Sequence, residues 1–143
     1  MLGGVNAPPV RRGYPHPLHA VLLAGTLPLF LGALLSDIAY AKTYDIQWQN
    51  FASWLLAGGL VFCGAALVCA IGALLVGRRD GLGWLRLLLV LATFACGLLG
   101  ALVHAKDAWA MMPEGPILSA LATLLSLAAI WAMFAGARVV EVR

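Results

Sequence analysis

Apolar positions fall into four long blocks along the chain, at about residues 18–40, 51–76, 82–104 and 117–137. Within each block they are nearly continuous, without the alternation of a barrel strand. Each block exceeds 20 residues, or about 30 Å as a helix at about 1.5 Å per residue, and so spans a hydrocarbon core. Lipid offers no partner for a free peptide group, so a spanning segment of this kind must be helical. The pattern predicts an all-α integral membrane protein of four transmembrane helices. Short intervening segments predict antiparallel neighbours in an up-down bundle. The loops would cover residues 41–50 and 105–116, with Asn50 capping helix 2 and the Pro113–Pro116 stretch starting helix 4. Residues 1–13 read as a flexible tail, and 14–143 as one membrane domain.

Composition strengthens this reading. The chain is 63% hydrophobic and only 10% charged, whereas soluble domains carry about a quarter charged residues. The net charge of +3 is therefore read as topology, with no nucleic-acid partner. Arg11, Arg12, Arg78, Arg79, Arg86, Arg138 and Arg143 fall on one side, against Lys42 and Lys106 on the other. The positive-inside rule then places both termini in the cytoplasm. A bacterial inner membrane is the expected location. The first block resembles a signal peptide, with "RRGYPH" before it and "AYA" after, but it is too long for a typical apolar core of one. Cys63, Cys69 and Cys96 all lie in apolar blocks without C-x-x-C spacing, which argues against a disulfide framework or zinc site. Glycines and alanines crowd helix 2, marking it as the candidate for closest packing and deepest burial. Pro28 is a candidate kink in helix 1.

Candidate chemistry lies at the two ends. Asp37, Tyr40, Trp54, His104, Asp107 and Trp109 are brought by topology to one end. Aromatic residues gather at membrane interfaces in any case. Asp37 and His104 differ, since ionisable groups inside apolar helical ends are costly and usually paired. An Asp37–His104 contact between helices 1 and 3 would account for both. At the other end His16 and His19 are candidate haem or metal ligands, although spacing of i, i+3 suits metal better than the opposed faces of haem. Met111 and Met112 are soft candidate ligands, but adjacent residues of a helix diverge by about 100°. No nucleotide motif is present.

Three stretches carry a resemblance: "HPLHA" entering helix 1, "LLSDIAYAKTYDIQWQNFASWLLAGGLVF", and "ALVHAKDAWAMMPEGPILSALATLL". The chain resembles the bacterial predicted membrane proteins of the domain-of-unknown-function 2231 family over about residues 14–137. The resemblance implies a four-helix inner-membrane protein without an assigned activity. It also implies a neighbourhood of periplasmic redox domains, such as Rieske proteins and quinoprotein sugar dehydrogenases. Many relatives have a further histidine early in helix 3, where this chain reads "LGWLRLLLVL"; that departure weakens a haem-binding role.

Three readings follow. In the first, a non-enzymatic membrane subunit anchors or exchanges electrons with a periplasmic redox partner; a quinone hydrogen-bonded to His104 at the periplasmic end is its concrete mechanistic version. In the second the protein is a haem b cytochrome. In the third it is a structural or assembly protein with no ligand, packing in a homo- or hetero-oligomer. A transporter lacks mid-membrane charges, and a hydrolase lacks a base at motif spacing.

Overall fold

The computed structural model describes residues 16–76, 81–106 and 108–135. Four helices follow in order: α1 (Pro17–Thr43), α2 (Ile46–Leu75), α3 (Gly81–His104) and α4 (Glu114–Ala135), with a single 3-10 turn, Ala108–Met111, between the last two. All four are long and apolar enough to cross a membrane. Each packs against its neighbours in sequence, and α1 against α4 closes the ring.

The helix ends have local causes. Pro17 opens α1, where its missing N–H is not needed, and the His16 ring accepts the Leu18 N–H at 3.3 Å. Tyr44 ends α1 in the left-handed region, at φ 58°, returning its N–H to the Tyr40 carbonyl at 2.8 Å. Asp45 then caps α2, its carboxylate accepting the Gln47 N–H at 3.0 Å, as an N-cap acceptor should. The expected loop at residues 41–50 is thereby reduced to Tyr44 and Asp45. Asn50 lies in the second turn of α2 and does not cap it. The polar stretch 46–50 hides a helix start because it projects beyond the apolar span. Helix α1 runs on through Pro28. At the far end Arg86 donates from Nε to the Ala132 carbonyl at 2.9 Å. That carbonyl belongs to the last turn of α4, where a cation also meets the negative end of the helix dipole.

The core inverts the pattern of a soluble bundle. Small or polar side chains point inward: Ala52, Gly59, Cys63, Ala66 and Ala70 of α2, and Gly115, Ser119, Ala122, Ser126 and Ala129 of α4. With Leu56 between Ala52 and Gly59, their spacing alternates between three and four residues, the seam of a left-handed bundle. Large residues such as Trp54, Val61, Val68 and Leu75 face outward. Phe30 is the largest exception, with Leu23, Leu56 and Val90 as smaller ones. Phe30 is fully buried, and a Cβ placed on Gly59 would lie 2.7 Å from its ring, one on Gly97 3.0 Å. The absence of these two Cβ atoms, one on α2 and one on α3, gives the ring its place. Hydroxyls on the seam are satisfied locally, Thr26 by the Leu23 carbonyl and Thr93 by that of Leu89, both at 2.7 Å, the usual economy of Ser and Thr within helices. Helix α2 is not the most buried element: α3 and α4 each bury a larger share of their spans. Glycine permits close approach on one side of a helix, while a four-membered ring leaves every helix a lipid-facing side.

Candidate functional site

The ends of α1 and α3 meet the starts of α2 and α4 at one end of the bundle, here termed the upper end. Asp37 lies six residues before Thr43, about 9 Å inside the end of α1. It is fully buried, deeper than a helix ending at Tyr40 implies. His104 closes α3 and is 5% exposed. Its Nε2 is 2.7 Å from Asp37 Oδ1, and its Nδ1 is 2.8 Å from the Gly100 carbonyl oxygen. Ser119 of α4 donates to Asp37 Oδ2 at 2.7 Å. The expected Asp37–His104 contact is therefore present, with Ser119 as a third member.

The protons follow from the partners. A carbonyl oxygen only accepts, so Nδ1 carries a hydrogen and donates it to Gly100. Nε2 then faces a carboxyl oxygen at hydrogen-bond distance, and one further proton lies between them. Either imidazolium faces carboxylate, or neutral imidazole accepts from a protonated Asp37. In both forms the pair is neutral as a whole, which suits a site sealed from water. Every polar atom of both side chains has a protein partner. Ser119 addresses Asp37 and not His104, so the three residues do not form a nucleophilic relay, in which the hydroxyl must meet the imidazole.

The surroundings fix this geometry. A Cβ on Gly115 would meet His104 Cε1 at 3.1 Å and the Met111 sulfur at 3.3 Å, so the glycine gives both groups room. Met111 is fully buried, while Met112 is half-buried. Trp109 lies over Tyr40 and Tyr44, with ring centroids 5.9 and 5.1 Å away. Tyr40 is buried one turn beyond Asp37. Trp54, by contrast, is 73% exposed; it faces outward and forms no wall of the cluster. Asp107 lies outside the described residues. His16 and His19 sit at the opposite end of α1, with His16 Nδ1 committed to the helix cap. Among the described residues no three His, Cys, Asp or Glu side chains are placed to hold a metal ion.

The family's sequence pattern, described as that of a predicted membrane protein, DUF2231, matches residues 15–142. The chain belongs to that family. No curated protein and no solved structure matches it. Membership in DUF2231 covers nearly the whole chain, including all four helices and every member of the buried cluster.

Two participants were not visible as site residues in the sequence. Ser119 sits on the small-residue stripe of α4, and a hydroxyl on such a stripe is the signal that marks it. Gln49 is 6% exposed, and its Nε2 reaches the carbonyls of His104 at 3.5 Å and Lys106 at 3.3 Å. Once Asp45 is read as a cap, Gln49 falls on the buried stripe that continues through Ala52 and Leu56. Beside it a cleft of about 370 Å³ runs along the α2–α3 seam, bordered by Gln49, Asn50, Ser53, His104 and Lys106.

Proposed function

We propose that this DUF2231 protein is a non-enzymatic membrane subunit. Its upper end is a rigid face for anchoring or assembling a partner. One observation carries this reading: both oxygens of Asp37 and both ring nitrogens of His104 are engaged by the bundle itself. Such a cluster joins α1, α3 and α4 and holds one end of the bundle in a fixed shape. It offers no free group for catalysis. The test is an absorption spectrum and an analysis of co-extracted small molecules from protein purified out of haem- and quinone-replete membranes. The expected result is no Soret band and no stoichiometric quinone. A Soret band would establish the cytochrome reading instead.

A second reading has its own observation. The cleft reaches His104, and a quinone there would allow electron exchange with a periplasmic redox partner. His104 would have to release Asp37 or Gly100 to bond a quinone carbonyl. Stoichiometric quinone in the purified protein, lost in His104→Ala, would favour this reading over simple anchoring.

The same proposal sets the protein in a bacterial inner membrane with both termini in the cytoplasm. Lys42 and Lys106 lie at the upper end and Arg86 near the lower one, in keeping with the charge asymmetry of the sequence. A single cysteine placed at Lys106, in a chain cleared of its native cysteines, should react with a membrane-impermeant maleimide in intact cells. Labelling only after lysis would reverse the orientation.

A further inference from the structure

Gln49 is more than nine-tenths buried, yet among the described residues its Oε1 has no hydrogen-bond partner. The amide cannot be turned to cure this. Its NH2 faces two carbonyl oxygens, those of His104 and Lys106, and exchanging the ends would set oxygen against oxygen. Oε1 is thus held in place as an acceptor that awaits a donor, and an unmet buried acceptor is costly. Gln49 is among the residues that border the cleft at the α2–α3 seam.

The rest of the cleft says what would bring that donor. Lys106 is exposed, and among the described residues it has no ion pair. The Ser53 hydroxyl donates to the Gln49 carbonyl at 3.0 Å, which leaves its oxygen as a further acceptor. The cleft therefore asks for a ligand with hydrogen-bond donors and a negative charge. Its volume is near the lower end of small-ligand sites, which run from about 300 to 1,000 Å³. Its level is that of the membrane surface, because Gln49 is in the first turn of α2 and Lys106 lies two residues past α3. Exposed Tyr44 and Trp48 mark the same level, as aromatic residues do at lipid head groups.

We propose that this cleft binds the head group of a phospholipid that carries its own O–H or N–H donor. The phosphate pairs with Lys106, and a glycerol hydroxyl or a primary ammonium donates to Gln49 Oε1. The site stands apart from the anchoring role and does not depend on it.

The test is native mass spectrometry of the full chain in detergent, with lipids of identical acyl chains added one at a time. Phosphatidylglycerol and phosphatidylethanolamine should be retained about three- to tenfold better than phosphatidylcholine, the effect of one hydrogen bond. The choline head group has neither an O–H nor an N–H. Gln49→Leu should erase that preference. Lys106→Gln, an exposed substitution that spares the core, should weaken all three lipids together. Equal retention of phosphatidylcholine and phosphatidylglycerol by the unaltered chain overturns the proposal, as does a Lys106→Gln variant that binds all three unchanged. Free glycerol 3-phosphate separates the sources of the phosphate ester. Failure to displace the lipid at equal concentration supports a membrane ligand, and ready displacement overturns it in favour of a soluble one.

Discussion

Replacing Asp37 with alanine should cost the bundle about 2–6 kcal/mol, because it orphans two buried groups at about 1–3 kcal/mol each. One is the Ser119 hydroxyl and the other is His104 Nε2. The lower part of that range is the better guide in a bilayer, where single interhelical hydrogen bonds average about 0.6 kcal/mol. Asparagine makes the contrast. Its carbonyl oxygen can accept from Ser119 while its NH2 donates to Nε2 of neutral imidazole, with Nδ1–H still given to Gly100. Asp37→Asn should therefore lie within about 1 kcal/mol of the parent. Unfolding in mixed micelles of increasing sodium dodecyl sulfate measures both variants. If asparagine proved as damaging as alanine, the pair would have to be an imidazolium–carboxylate ion pair that needs its full negative charge.

The second large effect concerns Phe30. Gly59→Ala places a methyl 2.7 Å from a ring carbon, closer than two carbons can approach, so the ring or the α2 backbone must move. Overpacking of this kind costs about 1–3 kcal/mol. Phe30→Leu in the same chain should recover part of the loss, because the smaller side chain vacates the space the methyl needs. A double-mutant cycle by the same unfolding assay gives the coupling directly. Simple additivity of the two substitutions would show that ring and glycine do not press on one another.

Fold and site were legible to different degrees, for physical reasons. Spanning segments announce themselves by length and apolarity, so the four helices and their order followed from the blocks. Helix ends obey capping chemistry instead, and Asp45, not the end of an apolar run, starts α2. The Asp37–His104 contact could be anticipated because isolated ionisable groups in lipid need partners. Ser119 could not be placed against it, since a serine is inexpensive in a helix whichever way it points. Trp54 shows the opposite error. Its position in sequence brings it to the right end, but rotation about the α2 axis turns it outward. The inward face of this bundle is written in small residues, a quieter signal than a hydrophobic stripe.

Phe30, with Leu23, Leu56 and Cys63, all at 1% exposure or less, fills the bundle axis below His104. Among the described residues these side chains separate the Asp37–His104 pair from the lower end of the bundle. A substitution at the lower end can therefore reach the pair only through these packed side chains or along the helices themselves.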